Sequence, residues 1–155
     1  MKPLILTLPE MNVVCFDAYS PDSETKVFSK MKEWLKEFNS DNKPYRVFGH
    51  NIDSKGNLTY EPQHAGYKIL LYVENLNIKS ANSKIEVISY GKFLVVRTAG
   101  QIENVGQWLV EGWNRLNQAI QDNKIKVKES PRWYEEHIRT EKPNYVIVDL
   151  YLEIA

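Results

Sequence analysis

The chain has 155 residues, with 20 basic and 20 acidic side chains, no formal net charge and 43% hydrophobic residues. This length suits one domain over residues 1–155, or two small halves that share a core. Zero net charge and a pI near 6.8 argue against direct binding to nucleic acid. No apolar run approaches the roughly 20 residues that a membrane-spanning helix needs. Cys15 has no partner for an internal disulfide bond, so a reducing, cytoplasmic setting is expected.

The first half reads as a strand, a helix and two further strands. Alternating residues predict a first strand over 11–19, and Ser20-Pro21 predicts a helix start with Ser20 as the N-cap. Apolar residues at helical spacing extend this helix from Thr25 to Phe38. Two strands are then predicted over Tyr45–Ile52 and Gly66–Glu74, with a polar turn between them.

The second half repeats that order. Strands are predicted over Ile85–Ser89 and Lys92–Thr98, followed by a helix that opens at Asn104. Two more strands are predicted over Trp133–Ile138 and Tyr145–Ile154. The order strand, helix, strand, strand therefore occurs twice.

This duplication predicts an α+β fold of two tandem βαββ units around a pseudo-two-fold axis, with both helices on one side of an antiparallel sheet. The polar link Asn75–Lys84 is the expected seam, which gives halves of about 1–76 and 84–155. In the last strand, alternate aliphatic residues from Val146 to Ile154 are expected to lie under the helices. The intervening residues, Tyr145 and Tyr151 among them, should face the other way, toward solvent or a groove.

Four stretches of the sequence carry a resemblance to a known family: Tyr67–Val73 (YKILLYV), Gly91–Gly100 (GKFLVVRTAG), Pro131–His137 (PRWYEEH) and Val148–Ile154 (VDLYLEI). Taken in order over nearly the whole chain, they are similar to GyrI-like effector-binding domains, which contain SHS2 modules. Such domains also form the ligand-binding part of AraC-type and MerR-type multidrug regulators. The resemblance implies a ligand groove between the halves, on the face away from the helices. No helix-turn-helix segment precedes the first predicted strand, so a stand-alone copy is expected.

In the family, a segment of Pro, an aromatic residue and Glu supplies the carboxylate of the pocket. The segment Trp133–His137 fits this register with Tyr134 and Glu135, which leaves His137 where a Tyr is usual. A shift of one residue would assign the role to Glu136 instead. Alternation places Glu135 and Glu136 on opposite faces of the strand, and Glu135 is favoured because Tyr134 belongs to the more apolar face.

A carboxylate among Trp and Tyr rings suits a flat cation, because the ligand then meets both a countercharge and aromatic faces. The expected function is therefore binding of a small hydrophobic aromatic or cationic molecule, for sensing, sequestration or detoxification. The simpler interpretation, with Trp133 in the core and Glu135 a solvated strand residue, stays open at this point. The residues expected to line the groove are Glu135, Trp133, Tyr67, Tyr151, Tyr145, His137, Glu136 and Trp113.

Two alternative functions also follow from the resemblance. Some GyrI-like proteins are hydrolases that open the strained cyclopropane of DNA-alkylating natural products, and Glu135 and Tyr67 would then be catalytic. Another member of the family binds and inhibits DNA gyrase, which makes a protein-interaction module the second alternative. No cofactor is expected, and the spacing of His50, His64 and His137 predicts no metal site. The ligand's identity and the oligomeric state do not follow from the sequence.

Overall fold

The helices and strands are defined by a computed structural model, which describes residues 3–77 and 83–155. A single turn of 3-10 helix at Ile102–Asn104 leads into the second α-helix. Among the described residues, no helix is both long enough and apolar enough to cross a membrane. In chain order the elements are β1 (Leu4–Leu8), β2 (Met11–Tyr19), α1 (Ser23–Phe38), β3 (Tyr45–Ile52), β4 (Gly66–Val73), β5 (Ile85–Ile88), β6 (Gly91–Gln101), α2 (Val105–Asp122), β7 (Trp133–Ile138) and β8 (Tyr145–Glu153).

The chain divides into two units, of which the middle unit is Glu10–Ile88. Its strands lie in the antiparallel order β5-β2-β4-β3. Helix α1 covers one face with Val27, Met31 and Trp34, which are spaced so that they fall on one stripe of the helix. Beneath them lie alternate residues of the strands, which form an apolar row because successive strand side chains point to opposite faces. This row consists of Val14, Ala18, Val47, Tyr67, Ile69, Leu71 and Val73.

The terminal unit consists of residues 3–9 together with Ser89–Ala155. Its strands lie in the antiparallel order β1-β6-β8-β7. Helix α2 packs on Leu94, Val96, Val148, Leu150 and Ile154 through Trp108, Leu116 and Ala119. Gly112 allows α2 to lie close to β6, because a Cβ at this position would be 2.8 Å from the Cβ of Thr98.

The two units share one internal arrangement. In each, the strand before the helix lies beside the second strand after it, and an additional edge strand flanks the strand before the helix. The predicted α+β class, with a duplicated strand–helix–strand–strand order and antiparallel pairing, is confirmed. The units differ from the expected halves at their edges, because β1 pairs with β6 and β5 pairs with β2. The predicted seam Asn75–Lys84 includes residues 78–82, which lie outside the described residues.

Near the start of the chain, the structure differs from the prediction in one strand and in one helix boundary. Strand β1 precedes the strand at 11–19, which the sequence analysis took as the first. Helix α1 begins at Ser23, not at Ser20-Pro21, with Asp22 as its N-cap at a φ of 59°. The cause is at the end of β2, where the backbone N–H of Ser20 donates to the carbonyl of Ala65 at 2.8 Å and so prolongs the strand ladder.

The single cysteine, Cys15, is buried in β2. Burial, together with the nearby Glu86, raises the pKa of the Cys15 thiol to about 12. The thiol is therefore protonated at neutral pH, and a protonated thiol is a poor nucleophile.

Candidate functional site

The face on which each β7 side chain lies follows from the pairing of β7 with β8. Residues directly opposite in antiparallel strands project to the same face. Glu135 lies opposite Leu150, and His137 lies opposite Val148. Because Leu150 and Val148 belong to the cluster beneath α2, Glu135 and His137 face the helix side of the terminal unit.

The neighbouring carboxyl, Glu136, lies on the opposite face. It pairs with Asp149, just as Tyr134 pairs with Tyr151. The sequence analysis placed Tyr145 and Tyr151 in one groove with Glu135, away from the helices, and this grouping is wrong. The register of β7 against β8 separates them, because Glu135 shares its face with aliphatic β8 residues.

Two tryptophans accompany Glu135 on the helix side. Trp133 precedes it by two residues, and its ring meets the ring of Trp113 from α2 edge to face, with centroids 5.6 Å apart and an interplanar angle of 83°. Glu135 and Trp133 are each 8% exposed. Within the described residues of β6, β7 and β8, the register makes Glu135 the only carboxylate that faces α2. We call Glu135, Trp133, His137 and Trp113 the Glu135 site.

His137 contributes a neutral ring to the Glu135 site. Burial lowers the pKa of His137 from 6.5 to about 4, and Glu136 opposes this shift only in part. The imidazole is therefore uncharged at neutral pH, so it brings no positive charge to the face that holds Glu135.

The flank of α2 that carries Trp113 is free of charged residues. At about 100° per residue, Gly106, Val110, Trp113 and Asn117 fall within one narrow sector of the helix. Val110 is 57% exposed there, and a Cβ at Gly106 would meet no atom within 4 Å. The charged residues of α2 occupy the other flank, where Arg115 donates to the carbonyl of Arg97 at 3.0 Å. The sequence analysis missed this uncharged flank, although the helical spacing of charges contained the signal.

The residues on the opposite face form a packed, hydrogen-bonded network. The hydroxyl of Tyr151 donates to Oε1 of Glu136 at 2.6 Å, and both residues are buried. The Tyr151 ring meets Phe93 edge to face at 5.9 Å. Asp149 accepts two hydrogen bonds from the Arg97 guanidinium, at 2.7 and 3.0 Å. Tyr151 and Glu136 therefore hold this face of the strands together.

The two remaining predicted tyrosines lie in different surroundings. Tyr145 is half-buried, and Nζ of Lys142 lies 4.2 Å from the centroid of its ring. Tyr67 belongs to the apolar row under α1 in the middle unit and is fully buried. Its ring occupies the space above Gly49, where a Cβ would lie 2.3 Å from the Tyr67 hydroxyl. A ligand-binding or catalytic role for Tyr67 stays a prediction.

In residues 3–77 and 83–155, no group of three or more His, Cys, Asp or Glu side chains is arranged to hold a metal ion. The Glu135 site presents a carboxyl, a neutral imidazole and two indole rings.

The fold is of the GyrI-like type. It matches the EcmrR C-terminal domain with a TM-score of 0.70 and 14% identity over 99% of this chain and 97% of that chain. SAV2435 bound to tetraphenylphosphonium matches with a TM-score of 0.57 and 9% identity, over 100% and 94%. A hydrolase from Listeria innocua matches with a TM-score of 0.60 and 10% identity, over 99% and 92%. At such identities these likenesses show the fold alone.

The family follows from the sequence. Residues 4–154 match the Cass2 family, integron-associated effector binding protein, and the chain belongs to this family. No curated protein matches the chain at a significant level. As a member of an effector-binding family, the protein binds a small molecule.

Proposed function

We propose that the small molecule is a hydrophobic aromatic cation, bound with its positive charge beside the carboxylate of Glu135 and its rings against Trp133 and Trp113. The observation that carries this proposal is the buried carboxyl of Glu135 on the same face as the tryptophan pair. In the cell, such binding would serve to sense, sequester or remove the compound.

The preference for a cation follows from the burial of Glu135. Removal from water disfavours a charged carboxylate, and a bound cation offsets that cost, whereas a neutral molecule of the same shape does not. Each indole face adds a cation–π attraction of about 0.5–2 kcal/mol. Tetraphenylphosphonium, the molecule in the SAV2435 structure, is a ligand of this class.

The surroundings of the site also favour a cation. His137 is neutral, and the flank of α2 that carries Trp113 bears no positive charge to repel the ligand. Val110 extends this flank as an exposed apolar side chain, on which the ligand's rings can pack as they approach Trp113. The site thus combines an apolar approach with one buried negative group.

The test is a titration with tetraphenylphosphonium in which tryptophan fluorescence measures binding. Replacement of the carboxyl by an amide in Glu135→Gln should weaken binding by about tenfold or more, because the countercharge is lost while the shape is kept. Equal affinities of the wild type and Glu135→Gln would refute the assignment of Glu135 as the anchor.

A pair of charge variants at the exposed Val110 tests the approach route. Val110→Lys should weaken binding of the cation, and Val110→Glu should strengthen it, each by about two- to threefold at low salt. Gln118→Lys, on the charged flank of the same helix, is the matched control and should change the affinity much less. Equal effects of lysine at Val110 and at Gln118 would place the site elsewhere.

A second candidate is hydrolysis of an electrophilic ligand at the same site. The carboxyl of Glu135 and the neutral imidazole of His137 lie two positions apart on one face, where either can accept a proton from an attacking water. Mass spectrometry after incubation with cyclopropane-containing natural products tests this candidate. A product heavier by one water, absent with Glu135→Gln, supports hydrolysis, and recovery of unchanged ligand counts against it.

A further inference from the structure

Gly106, in the first turn of α2, is the one glycine of the chain whose surroundings do not require glycine. All seven glycines lie in residues 3–77 and 83–155; at five of them an added Cβ would lie 2.8 Å or less from another atom, and Gly56 has a positive φ of 84°. At Gly106 the same Cβ would meet no atom of the described residues within 4 Å. Glycine destabilises a helix relative to alanine, so helix stability does not explain this residue either. What Gly106 provides is open space beside the helix.

The open space lies along β7, because α2 runs antiparallel to this strand. In the middle of α2, a Cβ at Gly112 would lie 2.9 Å from Cδ1 of Leu150, the β8 residue that pairs with Glu135. Trp108, four residues nearer the N-terminus, lies against Gly100, which pairs with the start of β8. Since β7 and β8 are antiparallel, the start of β8 lies beside the end of β7. The N-terminal turns of α2 therefore follow β7 toward its end.

Helix α2 and strand β7 form a groove within the terminal unit. The helix packs on β6 and β8, so that β7 lies beside the helix and not beneath it. We call this surface the α2–β7 groove, with a floor of Trp133, Glu135 and His137 and a wall of Trp113, Val110 and Gly106. From Trp113 to Gly106 the wall is about 10 Å long, at a rise of about 1.5 Å per helical residue. The floor from Trp133 to His137 spans about 13 Å, at about 3.3 Å per strand residue, so wall and floor run side by side over most of their length.

The α2–β7 groove is closed at one end and open at the other. At the closed end, Trp133 is 8% exposed and its ring meets Trp113 edge to face. At the other end, His137 is half-buried, Val110 is 57% exposed and Gly106 has no side chain. A ligand whose rings lie against the two tryptophans therefore has room to extend past Val110 toward Gly106.

We propose that the α2–β7 groove selects elongated cations, in which one unbranched apolar chain extends from the charged aromatic head past Val110 to Gly106. This inference rests on the proposed function, because it takes binding of the head at Glu135 as its starting point. A groove of about 10 Å holds a straight chain of about eight carbons, whose bonds measure about 1.5 Å each and zigzag. Of the six groove residues, only Glu135 is charged at neutral pH, since His137 is neutral. The groove therefore suits a single positive charge with an apolar chain.

The test is calorimetry with benzyldimethylalkylammonium ions that carry ethyl, butyl, hexyl or octyl chains. The affinity of the wild type should rise about twofold for each added methylene, because one side of the chain leaves water. Gly106→Leu places a side chain in its path and should keep the wild-type affinity for the ethyl compound but weaken binding of the octyl compound by about tenfold or more. Gln118→Leu, which adds leucine on the charged flank of α2, is the matched control and should keep the wild-type profile.

The outcomes separate this inference from the proposed function. If the ethyl compound does not bind, or binds equally to the wild type and Glu135→Gln, the proposed function and this inference both fail. If the ethyl compound binds through Glu135, a wild-type affinity that does not rise with chain length overturns the inference alone. A rise that is unchanged in Gly106→Leu, or equally reduced in Gln118→Leu, overturns it as well. Thermal unfolding establishes that each variant is folded, and Gly106→Leu should not lower the thermal midpoint, because leucine favours the helix and the space is open.

Discussion

Glu135 and Glu136 are adjacent in sequence but on opposite faces of β7, and their replacements should separate ligand binding from stability. Tyr151 donates a 2.6 Å hydrogen bond to Glu136, and Glu136 is 6% exposed. Tyr151→Phe removes the donor while keeping the ring. Loss of such a bond to a buried acidic group costs about 2 kcal/mol, a factor of about 30 in the equilibrium constant of unfolding. Glu135→Gln keeps the side-chain shape and replaces the carboxylate by an amide.

The assay combines urea unfolding of Tyr151→Phe and Glu135→Gln with titration of each folded variant by tetraphenylphosphonium. Tyr151→Phe should lower the urea midpoint with an unchanged m-value and keep the wild-type affinity for the cation. Glu135→Gln should weaken binding of the cation by about tenfold or more, because the countercharge is lost. If Tyr151→Phe reduces the affinity as strongly as Glu135→Gln does, the assignment of the two faces is refuted.

Three further predictions concern stability. Burial alone would raise the pKa of Glu153, but hydrogen bonds from Arg132 and a second basic side chain lower it from 4.5 to about 2. The contribution of Glu153 to the free energy of unfolding is therefore complete above pH 4.5 and is lost as the pH falls toward 2. The loss amounts to about 3 kcal/mol in total. Unfolding measured across this pH range should show the loss in the wild type but not in Glu153→Gln. Burial lowers the pKa of His137 from 6.5 to about 4, so the free energy of unfolding should also fall as the pH decreases across that range. If the free energy of unfolding depends on pH in His137→Gln as it does in the wild type, the burial of this ring is contradicted. A Cβ at Gly100 would lie 2.3 Å from the Trp108 ring, so Gly100→Ala should cost about 1–3 kcal/mol, and an unaltered thermal midpoint would show that the ring can move aside.

Much of the fold could be predicted because the strands alternate cleanly. The strands predicted at 11–19, Tyr45–Ile52 and Trp133–Ile138 match the structure at both ends, and the aliphatic row of β8 lies under α2 as expected. In each case one face is buried against a helix, and apolar residues therefore recur at every second position of the sequence.

The face of β7 could not be predicted from its own residues. Trp133–Ile138 carries an aromatic and an acidic residue on each face, so local alternation does not identify the helix side. The pairing of Glu135 with Leu150 decides it, and such pairing joins residues far apart in the sequence. Strand β1 escaped prediction for a related reason, because Leu4–Leu8 shows no alternation and remains largely exposed.

The central claim is that Glu135 makes the site selective for a cation over a neutral molecule of the same shape. Calorimetry with tetraphenylphosphonium and with uncharged triphenylphosphine oxide measures this selectivity as the ratio of two dissociation constants. The wild type should favour the cation by about tenfold or more, and Glu135→Gln should bind both compounds with nearly equal affinity. An equal ratio in the wild type and in Glu135→Gln would contradict the account, because the buried carboxyl would then have no part in recognition.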